Sequence, residues 1–191
     1  MILMSGNKNT KKISFVGPPC SGKSTLAQQI NFELKMKNYS STYVEEYVVD
    51  YIADCGAPKI FEHQMVIFEE QYKKERRFDG VKDFIVCDSA SWASYIYGRS
   101  LVGPKLTPYD IVSINQLHRK ILETINYWDY IFYLPLMEDY KFDGTRYQEK
   151  EEAESLGRRI KSWLEVENVP FYDLSSVPLN ERLSHVIDII I

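Results

Sequence analysis

The sequence is poor in cysteine, carries no excess of positive charge and lacks long apolar runs. It contains 3 cysteines, and Cys20, Cys55 and Cys87 show neither a CxxC spacing nor a His-x-x-x-His partner. This pattern argues against a disulfide framework and a zinc cluster. No stretch approaches the ~18 apolar residues of a spanning helix, and the first residues are too short an apolar run for a signal peptide. We therefore expect a soluble cytoplasmic protein with no membrane partner.

Basic residues do not outnumber acidic ones. The chain has 23 Lys and Arg against 27 Asp and Glu, a formal net charge of −4. No global positive field is available to hold a polyanion, so we expect no nucleic-acid partner, although a local anion site is compatible with this balance. Hydrophobic residues make up 45% of the chain, which is enough for a packed core and excludes the disordered and fibrous classes.

The 191 residues show no internal repeat, low-complexity tract or linker, which indicates one domain. Buried strands are predicted at 12–17, 41–46, 83–88, 129–134 and 169–174. Between the strands the apolar period becomes helical, as in Leu26, Ile30 and Leu34, or Phe61, Met65, Phe68 and Tyr72. Thr107 and Pro108 mark a helix start. Strands that alternate with helices predict an α/β, doubly wound fold with a parallel sheet covered on both faces.

A phosphate-binding loop follows the first predicted strand. Residues 17–24 complete the pattern G-x-x-x-x-G-K-[ST] before a predicted helix: Gly17, Pro18, Pro19, Cys20, Ser21, Gly22, Lys23 and Ser24. Backbone N–H groups of such a loop, together with the helix N-terminus, bind polyphosphate without global basicity. Lys23 is predicted to reach the β- and γ-phosphates and Ser24 to ligate Mg²⁺, while Thr25 adds a contact to the inner phosphates. The loop therefore predicts ATP and Mg²⁺ as bound groups.

A P-loop needs a second acid to hold the metal. The apolar strand 84–87 ends in Asp88, which has the form of a Walker B acid at the carboxyl end of a strand, where open α/β sheets bind ligands. The alternative is that Asp88 caps the helix that follows. We predict that Asp88 is catalytic and, with Ser24, ligates the metal.

Two carboxylates stand at the end of the second predicted strand. Glu45 and Glu46 would lie on the same rim as the P-loop, and only one of them can face the site because adjacent strand residues point to opposite faces. Glu46 is predicted to be the catalytic carboxylate that accepts a proton from an attacking hydroxyl, with Glu45 as the alternative. A solvated, acidic helix start is the other interpretation.

The polar stretch 136–149 follows the fourth predicted strand. It carries Lys141 and Arg146 and precedes a helix that holds Arg158 and Arg159. Its size and basic residues favour a lid that closes cations over the transferring phosphate, with Arg146 as a catalytic residue; a plain exposed loop is the alternative. The predicted organisation is one P-loop domain over 1–191, with an N-terminal tail at 1–11 and the lid at 136–149.

Taken together, these segments resemble the ribosylnicotinamide kinase module of the NadR type, within a wider group of NadR-like ATPases and kinases. The resemblance covers about 12–174 and rests on GPPCSGKSTLA, VEEYVVDYI, the glutamine- and acid-rich stretch 64–71, FIVCDSASWASYIYG, and DYIFYLP followed by DGTR. It implies a five-stranded parallel sheet and transfer of the ATP γ-phosphoryl group to a nucleoside-like hydroxyl, nicotinamide riboside being one acceptor of this kind.

The resemblance has one departure. Val49 and Asp50 stand where the NadR pattern usually has Arg-Asp, so a substrate-side cation is missing. For a nicotinamide riboside acceptor, Glu46 and Asp50 would then hold the ribose hydroxyls. The cationic ring would be favoured by a nearby aromatic residue such as Tyr47, Tyr51 or Trp92.

Two function classes fit the sequence. One is an ATP- and Mg²⁺-dependent small-molecule kinase; the other is a regulatory or switch-type ATPase that acts through a partner. A GTPase is disfavoured because no N-K-x-D or T-K-x-D segment follows the P-loop. The DGTR lid and the acids on the second strand favour the kinase, since a switch has no need of an acceptor pocket. The sequence does not identify the phosphoryl acceptor, and it does not determine the oligomeric state.

Overall fold

The computed structural model describes residues 9–102, 106–137 and 150–191. Within these ranges the chain alternates strands and helices in the order β1 (Lys11–Val16), α1 (Lys23–Met36), β2 (Ser41–Val44), α2 (Tyr47–Cys55), α3 (Phe61–Arg76), β3 (Phe84–Asp88), α4 (Ala93–Leu101), α5 (Pro108–Thr124), β4 (Tyr130–Tyr133), α6 (Lys150–Val166), β5 (Tyr172–Asp173) and α7 (Arg182–Ile190). Short 3₁₀ turns follow α5 and precede α7.

The five strands form one sheet in the order β2-β3-β1-β4-β5, and every neighbouring pair is parallel. Helices α3, α4, α5 and α6 cover one face of the sheet, whereas α1 and α7 cover the other. The predicted α/β, doubly wound, five-stranded fold is confirmed. This order places the carboxyl ends of β1, β2 and β3 side by side at one rim.

Strand alternation builds the two layers of the core. Along β3, Phe84 and Val86 pack on the α1 and α7 side, and Ile85 and Cys87 pack on the opposite side, as the two-residue period of a strand requires. All five predicted strands are present, but the prediction of a buried strand over 169–174 was wrong in its burial: β5 is only Tyr172–Asp173, and both residues are exposed because β5 lies at the edge of the sheet. Strand β1 begins at Lys11, so that residue belongs to the sheet rather than to the predicted tail.

The helix start predicted at Thr107 is confirmed. The Thr107 hydroxyl accepts a hydrogen bond from the Asp110 backbone N–H, and the Asp110 carboxylate accepts one from the Thr107 backbone N–H. This reciprocal capping box satisfies N–H groups that have no partner within the first turn. Pro108 follows the cap in the first turn, where its missing N–H costs nothing.

Helix α3 differs from its predicted apolar stripe. Phe61 and Phe68 are buried as expected, but Met65 and Tyr72 are only partly buried. Three polar residues of α3 are buried instead: Gln64, Gln71 and Glu75. The apolar period predicted the helix but not its inner face, because Gln71 and Glu75 have polar partners in other elements and Gln64 lines a cleft.

Most of the predicted lid lies outside the described residues, including Lys141 and Arg146. Its first residues are described, and the Met137 backbone N–H donates to the Cys20 carbonyl at 3.1 Å. The segment after β4 therefore starts in direct contact with the P-loop. Across the described ranges, no helix is both long and apolar enough to cross a lipid bilayer.

Candidate active site

The predicted P-loop joins β1 to α1 as a tight turn. A Cβ atom on Gly17 would lie 2.2 Å from the Leu134 carbonyl oxygen, so only glycine fits where the loop leaves the sheet. Gly22 has φ of 83° and occupies the N-cap position of α1, a left-handed conformation that glycine adopts without strain. Cys20 also has a positive φ, of 61°. These turns bring the backbone of the loop to the N-terminus of α1, as an anion site requires.

Lys23 begins α1 and is only 8% exposed. Its Nζ donates to the Pro18 carbonyl at 2.9 Å and to the Ser21 hydroxyl at 3.4 Å. Both acceptors are neutral, so the ammonium group is held over the loop with its charge uncompensated by these contacts. A phosphate oxygen placed in the loop would supply the missing negative charge.

The remaining predicted loop residues lie around this lysine. Ser24 and Thr25 are exposed in the first turn of α1, and Ser21 is buried beneath the loop. Pro19, Cys20 and Ser24 line the cleft described below. Cys20 contributes its backbone to the turn. Its position in the loop favours a small side chain that fills space over a nucleophilic thiol.

Asp88 ends β3 beside the P-loop, with its Cα paired to Phe15 of β1. Its Oδ2 accepts a hydrogen bond from the Tyr43 hydroxyl at 3.2 Å. Its Oδ1 is enclosed and has no hydrogen-bond partner among the described residues. Helix α4 starts at Ala93 with Trp92 at the N-cap position, so the capping alternative for Asp88 does not apply. A buried carboxylate oxygen without a partner, at the end of the strand next to the P-loop strand, suits a hydrated Mg²⁺ ion.

Glu45 and Glu46 both follow the end of β2 but differ in exposure. The strand stops at Val44; Glu45 is exposed, whereas Glu46 lines the same cleft as Lys23. Glu46 also precedes α2, yet its side chain makes no capping hydrogen bond. Burial raises the pKa of Glu46 to about 7, with Lys23 opposing the rise and Asp88 adding to it. A carboxylate that titrates near neutral pH is suited to general-base chemistry.

One cleft of about 1000 Å³ connects Lys23 and Ser24 of the P-loop with Glu46. One end is formed by the P-loop, and the other is a chamber between α2, α3 and α4. The chamber is mainly apolar and is lined by Val48, Val49, Ile52, Ala53, Ile67, Ala93 and Leu101. Pockets of this size and character bind small molecules.

Helix α6 closes a further side of the cleft. A Cβ atom on Gly157 would lie 3.2 Å from Pro18 Cγ and from the Tyr133 hydroxyl, so α6 packs directly against the P-loop. This contact leaves Arg159 lining the cleft. Arg158, its neighbour, instead lies 3.9 Å from Glu154 on the exposed face. The sequence placed both arginines on one helix but did not distinguish them.

Two buried residues of α3 hold the segments that carry the predicted carboxylates. Gln71 Oε1 accepts from the Tyr47 backbone N–H at 2.7 Å, directly after Glu46, and its Nε2 donates to Cys87 Sγ at 3.3 Å. One helical turn later, Glu75 accepts from the Ser91 backbone N–H at 2.5 Å and from the Ser91 hydroxyl at 2.9 Å. Sequence analysis included Gln71 in the glutamine- and acid-rich stretch 64–71 but assigned it no role, and it did not single out Glu75. The signal that would have found them is a polar i, i+4 pair on the inner face of a helix.

The aromatic residues expected around the ligand lie elsewhere. Tyr47, Tyr51 and Trp92 are not among the residues that line the cleft. Trp92 is 1% exposed and stacks on Trp163 with ring centroids 5.3 Å apart.

Asp50, expected near the ribose, is instead 3.0 Å from Lys74 on the outer side of α2. Among the described residues, the aromatic side chain that lines the cleft is Tyr97, which packs beside the P-loop with its hydroxyl 3.5 Å from the Gly17 carbonyl.

A parallel sheet with a G-x-x-x-x-G-K-S loop between its central strand and the first helix, and an acid ending the adjacent strand, defines a P-loop nucleotide-binding domain. Consistent with this class, residues 12–182 match the AAA domain family, and the chain belongs to that family. P-loop proteins typically bind a nucleoside triphosphate together with Mg²⁺.

Among solved structures, the chain is similar to the crystal structure of NadR protein in complex with NR. The TM-score is 0.72 at 18% sequence identity. The match covers 94% of this chain and 50% of that chain, so the chain spans about half the length of the NadR protein. The likeness to the NadR type is therefore confirmed as a likeness of fold. A search of curated proteins gave no match.

Proposed function

We propose that the chain is an ATP- and Mg²⁺-dependent phosphotransferase that phosphorylates a hydroxyl group of a nucleoside-like small molecule. The observation that carries the proposal is the continuity of the cleft, which runs from Lys23 and Ser24, past Glu46, into the chamber between α2, α3 and α4. A nucleotide switch needs the P-loop end alone, whereas a kinase also needs a pocket for an acceptor.

Each predicted residue has a distinct part in this reaction. The P-loop backbone and Lys23 would hold the β- and γ-phosphates, and Ser24 and Asp88 would hold Mg²⁺, which neutralises charge on the phosphates. Glu46 would accept the proton of the acceptor hydroxyl as that oxygen bonds to the γ-phosphorus and the bond to ADP breaks. Arg159, and Arg146 of the predicted lid, are candidate cations for the charge that develops on the transferring group.

Nicotinamide riboside is the first acceptor to test, because the resemblance to the NadR type implies it. Purified protein should be incubated with Mg²⁺-ATP and a panel of nucleosides, nucleotides and nicotinamide riboside, with ADP release and product mass both measured. We expect one nucleoside-like compound to stimulate ADP release and to gain one phosphoryl group.

The matched controls are two substitutions on α1. Lys23→Met should remove most of the stimulated activity, about 10²-fold or more, while Lys35→Met changes an exposed lysine of the same helix and should have little effect. ATP hydrolysis that no panel member stimulates would instead support a regulatory ATPase that acts through a partner.

A further inference from the structure

We infer that the chamber between α2, α3 and α4 contains a subsite for an amide edge, where Gln64 binds a carboxamide or lactam group of the acceptor ring. The inference rests on the proposed function, because it assigns the chamber to the acceptor. The inference adds the chemical group that the chamber would bind.

Gln64 differs from the other buried glutamine on the same face of α3. Gln71 is 2% exposed and Gln64 is 6% exposed, and both line the cleft. Gln71 uses its carboxamide within the fold, through Tyr47 and Cys87. The Gln64 carboxamide has no hydrogen-bond partner anywhere in the described part of the chain. The Gln64 carboxamide is open to the cleft and is not enclosed by protein, so a ligand that covers it has to offer it hydrogen-bond partners.

The surroundings of Gln64 offer it little else to bind. Most of the chamber lining is apolar, with Ile52, Ile67, Ala93 and Leu101 among its residues. Ser94 of α4 also lines the chamber and is buried; within the described ranges its hydroxyl has no side-chain hydrogen bond either. A few polar groups in an apolar pocket determine which ligand is bound and in which orientation.

The stem of Gln64 is fixed by the close packing of α3 on α4. A Cβ atom on Gly98 would lie 2.8 Å from Phe61 Cε2 and 3.3 Å from Gln64 Cβ. Helices α3 and α4 therefore approach each other closely at Gly98, which lies one turn after Ser94 in α4. A side chain anchored at its root loses less conformational freedom when its amide binds a ligand.

A carboxamide presents one acceptor and donors in one plane. It is complementary to a ligand edge that also carries an adjacent donor and acceptor, with which it forms two parallel hydrogen bonds. A primary carboxamide on a pyridine ring has such an edge, and so has the lactam edge of a purine or pyrimidine base. A ring without this edge would leave the Gln64 amide buried and unpaired, which disfavours its binding.

Paired ligands test the subsite. Binding of nicotinamide riboside and of pyridine riboside, which lacks the carboxamide, should be measured by calorimetry on the wild type, Gln64→Leu and Gln64→Glu. The matched control is Gln116→Leu, which changes an exposed glutamine of α5. Inosine serves as a lactam ligand, and its 2-unsubstituted, 6-deoxy counterpart, nebularine, lacks the lactam.

We expect Gln64→Leu to weaken binding of the amide-bearing member of at least one pair by about tenfold or more, as for two lost hydrogen bonds. Binding of its partner ligand should be nearly unchanged, and Gln64→Glu should also weaken the amide ligand because a donor becomes an acceptor. In turnover assays the loss should fall on the acceptor KM, with the KM for ATP unchanged.

The two proposals can fail separately. If no amide ligand binds the wild type, or if Gln64→Leu binds both members of each pair as the wild type does, the subsite is refuted, whether or not an acceptor is phosphorylated. If amide ligands bind in a Gln64-dependent manner and none is phosphorylated, the subsite stands and the kinase proposal fails.

Discussion

Asp88 is buried, yet one of its carboxylate oxygens has no hydrogen-bond partner among the described residues. This combination is expected of a ligand-binding residue and not of a structural one. Asp88 Oδ2 is bonded to Tyr43, while Oδ1 is enclosed without a partner among the described residues. An asparagine can still accept the Tyr43 hydrogen bond, so Asp88→Asn should keep the fold and lose the negative charge.

We expect Asp88→Asn to lower Mg²⁺-dependent turnover by about 10²-fold or more and nucleotide affinity by much less, since backbone N–H groups hold the phosphates. Steady-state kinetics over a Mg²⁺ titration, with nucleotide binding measured in parallel, separates the two effects. Asp188→Asn, at an exposed position of α7, is the control. Wild-type turnover with an unchanged Mg²⁺ dependence would contradict the metal role.

The site residues that the sequence predicted belong to local patterns. The P-loop is a contiguous motif, and Asp88 and Glu46 follow strands whose parallel order places their ends on one rim. The burial of Gln64, Gln71 and Glu75 was not predicted, because it depends on contacts with other elements. Trp92 shows the opposite error: it was a candidate for ligand contact, but its partner is Trp163 of α6, which no local pattern connects to it.

At the scale of elements, α3 holds the segments that follow β2 and β3 at the site. Glu75 is fully buried and binds the segment after β3 through Ser91. Burial raises its pKa from 4.5 to about 7, although the Ser91 hydrogen bonds and Arg76 favour the charged form. The folded protein thus binds this proton more tightly than the unfolded chain. The stability that Glu75 contributes is fully present below pH 4.5 and is lost as pH rises through about 7.

Glu75→Gln should remove this pH dependence while keeping the contacts with Ser91, because an amide oxygen can accept from the N–H and the amide nitrogen can donate to the hydroxyl. We expect the free energy of unfolding of the variant, relative to wild type, to increase by on the order of 1–3 kcal/mol between pH 5 and pH 8. Urea unfolding at four pH values measures it. Glu46, whose pKa is also raised, is present in both proteins, so its contribution to the pH dependence cancels in the difference between them. A difference that is constant with pH would show that Glu75 does not titrate in this range.

Helix α6 offers a matched pair of arginines. Arg159 lines the cleft, whereas Arg158 faces Glu154 at the surface. A cation that meets charge mainly in the transition state affects kcat more than ground-state binding. Arg159→Ala should therefore lower kcat by about tenfold or more with a smaller change in the KM for ATP, and Arg158→Ala should leave both nearly unchanged. Equal effects of the two substitutions, measured by steady-state kinetics, would contradict this assignment.

For the whole molecule, the sheet order determines where the chemistry lies. Gly17 and Glu46 follow β1 and β2, and Asp88 ends β3, which lies between those two strands in the sheet. The alternation of strands and helices was enough to predict this shared rim. The acceptor chamber could not be predicted in this way. It is enclosed by α2, α3 and α4, whose mutual packing depends on side-chain shapes such as the absence of a Cβ atom at Gly98.

Because the cleft is assembled from segments far apart in the chain, its ligands should bind the folded protein and not the unfolded chain. A ligand at about 100 times its Kd then stabilises the fold by ~2.7 kcal/mol, which for a domain of this size raises Tm by roughly 5–10 °C. We expect a non-hydrolysable ATP analogue with Mg²⁺ to give such a shift in wild type and a much smaller one in Lys23→Met.

The acceptor should give a second shift. It binds the chamber and the nucleotide binds the P-loop, so with both ligands present Tm should rise above the value with either alone, whereas Lys23→Met should keep the acceptor's own shift. Differential scanning fluorimetry with nicotinamide riboside and the analogue, singly and together, measures this. Two ligands that compete, so that the second adds nothing, would mean that the chamber and the P-loop are not separate sites. That result would contradict a two-substrate cleft and hence the kinase.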